Sequence, residues 1–263
     1  MDRLLVVAST LCFLFAVVRL LMLMRGRIFQ PNRASFYAMV AGFALQSAFL
    51  FVRGRSLGRC PLTNLFEVFV FMAWSVALIY MLVGPAYRLS LMGAFTAPLV
   101  FLMQSFALLS PIDAPRVGRM AVNPWLEFHA SISIVAYGAF ALAGVAGLMY
   151  LVQERQLKTH NLHSVFHHLP PLTELYAAIV RLLWLGFGLY TAGLLSGFFT
   201  GEPLPRAKMA AAIVVWILYA AILQGRHLLR LTPKHVAALC VVAFSAALTV
   251  LWAIRFVAQG IPA

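Results

Sequence analysis

Eight long apolar runs, each bounded by polar or turn-forming residues, dominate this 263-residue chain and leave few folds open to it. They fall at about residues 4–24, 36–52, 65–83, 89–109, 126–152, 176–199, 209–223 and 236–256. A helix needs about 20 mostly apolar residues to cross a bilayer, and most of these runs reach that length. The expected fold is therefore all-α, a polytopic transmembrane helical bundle of about eight spanning helices, with residues 1–263 forming a single membrane-embedded domain. Membrane barrels require strands that alternate over about ten residues, and these runs are continuous. Only 10% of the residues are charged and 63% are hydrophobic, against about 25% and 45–50% in soluble domains.

The net charge of +13 would raise the question of nucleic acid in a soluble chain. Here the basic residues are scattered through short loops, as membrane topology requires, so lipid is the expected partner and nucleic acid is not. Cys12, Cys60 and Cys240 stand singly in or beside apolar segments with no CxxC pair, which reads as small packing residues. The first run is too long for a signal peptide, lacks a cleavage site after it, and is followed by Arg25 and Arg27 as a stop-transfer flank. The basic residues divide almost evenly between the two faces, nine against eleven. Arg19, Arg25, Arg27 and Arg33 outweigh Arg3 at the ends of the first run. Because the first helix usually dominates orientation, both termini are expected outside the cytoplasm of a bacterial-type inner membrane.

Ionisable residues at membrane depth cost about 2.5–3.5 kcal/mol on insertion scales, so the few present are candidates for function. Glu67 lies one turn inside the third run, three residues after Asn64. That spacing fits a capping box, in which Asn64 caps the helix and Glu67 reaches back. Glu127 and His129 lie in the first turn of the fifth run, after Asn123-Pro124-Trp125, a proline-led helix start with an interfacial tryptophan. After His129, the residues Ser131, Ser133, Tyr137 and Gly138 interrupt the apolar pattern and point to contact with another helix or a ligand. A neutral imidazole there can ligate haem iron or a transition metal, or it can be an interfacial histidine bonded to Glu127. His160, His163, His167 and His168 fall between the fifth and sixth runs, as a metal site or as the polar side of a surface helix. His227 ends the seventh run on that same side, so a spanning helix of about 30 Å separates it from His129.

Three motifs carry a family resemblance. Pro61-Leu62-Thr63-Asn64-Leu65-Phe66-Glu67 followed by Trp74-Ser75, Phe128-His129-Ala130-Ser131 through Ala136-Tyr137-Gly138, and Gly193-Leu194-Leu195-Ser196-Gly197 resemble, in that order, motifs of the CcsA-type membrane cytochrome c assembly family. The resemblance covers most of the chain from about Cys60 onward. It implies a polytopic bundle that handles haem, with iron held by histidines flanking an external loop. His129 matches the external histidine before that loop, and His227 falls near the histidine after it. The loop after Gly197 lacks the family's Trp-rich, Asp-containing signature, and the last run has no histidine. In both respects the chain is similar to the shorter HemX/YpjD-like branch.

The resemblance thus implies a non-catalytic protein that binds or presents haem at the outer face, with His129 as axial ligand to the haem iron and Asn64, Glu67, Tyr137 and His227 as further candidates at the cofactor. Its partners would be apocytochrome c, other cytochrome c assembly proteins or a haem-synthesis enzyme. A non-haem scaffold acting on those partners, or a metal-ion transport accessory using Glu67, His129 and the four-histidine loop, are the alternatives. No nucleophile paired with a base, no paired carboxylates at depth and no phosphate loop argue for an enzyme.

Overall fold

The structure is a computed structural model, and it describes residues 2–25, 33–83, 92–109, 123–159, 171–201 and 206–259. Among these residues it contains eight α-helices and one short 3₁₀ turn. They are α1 (Asp2–Arg25), α2 (Arg33–Leu57), α3 (Leu65–Val83), α4 (Met92–Leu109), α5 (Pro124–Thr159), α6 (Leu172–Gly197), α7 (Arg206–Leu228) and α8 (Pro233–Gln259). The 3₁₀ turn, Phe198–Thr200, continues α6. Six helices (α1, α2, α3, α5, α6 and α7) are long and apolar enough to cross a membrane. Helices α4 and α8 carry shorter apolar stretches among the described residues, Phe95–Leu109 and Pro233–Thr249. The chain is a multi-pass membrane protein with a helical bundle fold.

Each apolar run became one helix. The helices overshoot the runs where the flanking residues favour helix without being apolar. Helix α5 continues seven residues past the end expected at Val152, to Thr159. Gln153, Glu154, Arg155 and Lys158 are good helix formers, and Lys158 Nζ donates to Glu154 Oε1 at 2.6 Å across one turn. At 1.5 Å per residue its 36 residues span about 54 Å, well beyond a hydrocarbon core of about 30 Å. Helix α4 runs unbroken through Pro98.

Helix α5 is the centre of the bundle. It packs most extensively on α6, then on α8 and α3. Its buried face is built from small residues, including Ala136, Gly138, Ala139, Ala143, Gly144, Ala146 and Gly147, which let helix backbones approach closely in lipid. A Cβ on Gly138 would lie 2.9 Å from the Ser75 carbonyl carbon on α3, and one on Gly147 would lie 2.7 Å from the Ala237 oxygen on α8. Between α5, α6 and α7 an aromatic column fills the space. The Phe140 and Tyr219 rings are stacked, and Tyr190 meets both Phe140 and Tyr137 edge-on.

Helices α1 and α2 pack on each other and reach the rest of the bundle through α4 and α3. Buried hydrogen bonds tie α1, α2 and α4 together. Ser9 Oγ donates to the Gly42 oxygen at 2.8 Å, Gln104 Nε2 donates to Ser9 Oγ at 3.1 Å, and Thr10 Oγ1 donates to Gln104 Oε1 at 3.2 Å.

Candidate functional site

The polar residues singled out by the sequence gather at one end of the bundle, where α5 begins and α6 ends. Asn123 caps α5 by accepting the Trp125 and Leu126 amides at Oδ1, and its Nδ2 donates to the Thr200 oxygen at 2.8 Å. That one residue starts α5 and fastens its start to the turn that ends α6. The other side of α5 receives the α2–α3 connection. Helix α2 ends in a Schellman motif: Gly58 takes the left-handed conformation (φ 64°), its amide reaches the Arg55 oxygen, and the Arg59 amide reaches the Gly54 oxygen. The reversal delivers Cys60 to α5. Its amide donates to Glu127 Oε2 at 3.2 Å, and its Sγ lies 3.3 Å from Ser131 Oγ. Burial pushes the Cys60 thiol above its usual pKa, against the pull of the Ser131 bond, and the Glu127 and Glu67 charges add to the rise. It is a protonated, weakly nucleophilic thiol at neutral pH.

Asn64 and Glu67 form the expected cap in an altered form. The Glu67 amide donates to Asn64 Oδ1 at 2.8 Å. The Glu67 carboxylate reaches one residue further back than a capping box does, accepting the Thr63 amide at 2.8 Å and the Thr63 hydroxyl at 2.7 Å. Its other oxygen accepts Arg53 Nε at 2.8 Å. Glu67 is fully buried, and four local hydrogen bonds involve it.

His129 stands apart from this network. Positions 127 and 131 share one side of α5, and position 129 lies about 200° around the helix from 127. Its Nδ1 is 2.6 Å from the Gly193 carbonyl oxygen on α6, so the partner is on α6 and not Glu127, the alternative the sequence offered. A carbonyl only accepts, which places the hydrogen on Nδ1 and leaves the lone pair of the neutral ring on Nε2. Ser196 Oγ donates to the same oxygen at 2.6 Å. Glycine at position 193 lets α5 and α6 approach this closely, since a Cβ there would sit 2.5 Å from Ser133 Oγ. Trp125, Phe128 and Phe199 are exposed around this end, with Trp125 5.3 Å from Phe199 and 6.5 Å from Phe128 between ring centroids.

The structure brings only some of the candidates together. Tyr137 lies eight residues beyond His129 on α5, about 12 Å along the axis, with its ring in the buried aromatic column. Glu67 and Asn64 lie at the same end as His129 but on the side of α5 that faces α3. His227 is in the last turn of α7, and His160, His163, His167 and His168 lie outside the described residues. Among the described residues no three His, Cys, Asp or Glu side chains converge as a metal-ligand set. Sequence reasoning missed Cys60 and Gly193 as bonding partners of α5, since each contact joins residues more than 60 positions apart.

The structure is a multi-pass helical bundle with a buried cap-and-ion-pair network and a carbonyl-anchored histidine at one end. Residues 62–262 match the family described as "Cytochrome C assembly protein", and the chain belongs to that family. It is 28% identical over 196 residues to the cytochrome c biogenesis protein CcsA of Chlamydomonas reinhardtii, covering 67% of this chain and 53% of that one. This chain therefore spans about half the length of that relative. It is 26% identical to the protein HemX of Brevibacillus brevis, covering 76% of each chain. The CcsA of Guillardia theta is 24% identical, over 97% of this chain and 94% of its own. The last alignment includes α1 and α2, which precede the family match.

Proposed function

We propose that this protein binds or presents haem at the end of the bundle that carries His129, and that His129 is an axial ligand. It acts as a handling and assembly protein, not as an enzyme, on apocytochrome c, other cytochrome c assembly proteins or a haem-synthesis enzyme. One observation carries the reading: the Gly193 carbonyl holds Nδ1 of His129 at 2.6 Å. Metal-ligating histidines almost always donate their second nitrogen to a carbonyl or carboxylate, which fixes the ring and its tautomer. A bound haem would supply an iron that such a nitrogen can ligate. The residues present fit one side of that group, a histidine with its Nε2 unbonded among the described residues and exposed aromatic rings at the same end of the bundle. The protein's own contribution is to hold the ring still through the Gly193 carbonyl.

In detergent-purified protein loaded with haem, His129→Ala should remove or shift the Soret band, and added imidazole should restore it by taking the vacated position. His227→Ala should leave the band as it was. A His129→Ala protein with wild-type haem stoichiometry and spectrum would leave the non-haem scaffold as the better account.

We propose further, from the excess of Arg19, Arg25, Arg27 and Arg33 over Arg3 around the first helix, that both termini lie outside the cytoplasm of an inner membrane. An alkaline phosphatase fusion after Ala263 should then be active in cells, and a fluorescent protein that matures only in the cytoplasm should be dark at that position. The reverse pattern would invert the orientation.

A further inference from the structure

The α7–α8 turn carries a feature that the His129 end does not use. Arg230 has φ 48°, in the left-handed region where a side chain strains and where a helix normally ends on glycine or asparagine. The chain keeps an arginine there. Arg230 and Lys234 are both exposed, and neither has an acidic partner among the described residues. Arg226, at the end of the apolar span Lys208–Arg226, lies with its guanidinium 5.6 Å from the centre of the Tyr176 ring. No Asp or Glu occurs anywhere after Glu202, so nothing in α7 or α8 offsets these charges.

Apolar surface accompanies the charge. Leu228 and Leu229 are 77% and 74% exposed, immediately beyond the end of the span. The Leu231 amide turns back to the Gly225 oxygen at 3.4 Å, so the chain reverses between the last turn of α7, which holds Arg226 and Leu228, and the first turn of α8, which holds Lys234, with Leu229 and Arg230 between them. Leucines at the end of a spanning helix lie at the boundary between hydrocarbon and headgroups, and arginine and lysine extend from there toward phosphate.

We propose that the α7–α8 turn binds the headgroup of an anionic phospholipid, with Arg226, Arg230 and Lys234 around the phosphate and Leu228 and Leu229 against its acyl chains. An acidic polypeptide would satisfy the charges but would leave two exposed leucines in water. The lipid satisfies both, and the strain at Arg230 is then explained by the charge held there. The proposal is independent of the haem reading.

The test is lipid retention by the full-length protein in native mass spectrometry, with phosphatidylglycerol and phosphatidylcholine supplied at equal concentration. The wild type should retain phosphatidylglycerol preferentially, and each charge removed, by Arg230→Gly or Lys234→Gln, should weaken that retention about fivefold. Arg230→Gly is the informative variant because glycine suits φ 48°. Its thermal midpoint in phosphatidylcholine micelles should be no lower than wild type while its retention falls, and Arg230→Lys should keep most of the retention. Equal retention of the two lipids by wild type, undiminished retention by Arg230→Gly/Lys234→Gln, or equally tight binding of poly-glutamate without lipid would each overturn the proposal.

Discussion

Glu67→Ala is expected to destabilise the protein by about 3–5 kcal/mol, the usual loss when one partner of a buried ion pair is removed. The carboxylate is fully buried and holds three groups at once, Arg53 Nε, the Thr63 amide and the Thr63 hydroxyl. Alanine would strand them where little water can replace it, and unsatisfied polar groups are costly at membrane depth. The measurement is the unfolding free energy in a denaturing-detergent titration. Arg53→Met combined with Glu67→Met should recover a large part of the loss, because replacing both charges by apolar groups avoids the stranded cation. A loss below about 1 kcal/mol for Glu67→Ala would mean that the network is solvated and contributes little.

Gly138→Val should be nearly as damaging, at about 3 kcal/mol, the upper end of ordinary overpacking. The new Cβ would meet the Ser75 carbonyl carbon and Cβ at 2.9 Å, and backbone atoms cannot rotate out of the way. Helix α3 would have to move off α5 and carry the Asn64–Glu67 cap with it. Gly188→Ala is the matched control, since nothing lies within 4 Å of a Cβ there and alanine is the better helix former by about 1 kcal/mol. If the two variants unfolded at the same point in the titration, the close approach of α3 and α5 would be wrong.

The helices were legible because lipid imposes one rule on the whole chain: a spanning segment must be apolar for about 20 residues. Most of the runs obey it, six of the helices are long and apolar enough to span among the described residues, and the boundaries differ where the rule stops applying, as in the polar extension of α5 to Thr159. The Asn64–Glu67 cap was also legible, because a cap is local and its partners are three residues apart. Local spacing also identified Ser131, Ser133, Tyr137 and Gly138 as contact positions. It could not tell that they face four different neighbours, Cys60, Gly193, Tyr190 and Ser75. For the same reason the candidates Glu67, Tyr137 and His129 read as one group from the sequence, whereas Glu67 sits on α3 and the turn of α5 sends Tyr137 and His129 to separate surroundings. Nothing in a single sequence marks the carbonyl of Gly193 as the partner of His129, since every residue has a carbonyl.

The hydrogen bonds that join α1 and α2 to α4 set an order of events during biosynthesis. Ser9 and Thr10 leave the ribosome long before Gln104, their partner 95 and 94 residues later. At a translation rate of about 5–20 residues per second, the gap lasts about 5–20 s. For that interval the first two helices must wait in the bilayer, or within the insertion machinery, with the Ser9 and Thr10 hydroxyls able to bond only to nearby backbone. Thr10 does so already, to the Val6 oxygen at 2.7 Å, and Ser9 does so with Gly42 as soon as α2 arrives. The hairpin can therefore lodge on its own, and α4 closes it onto the growing bundle.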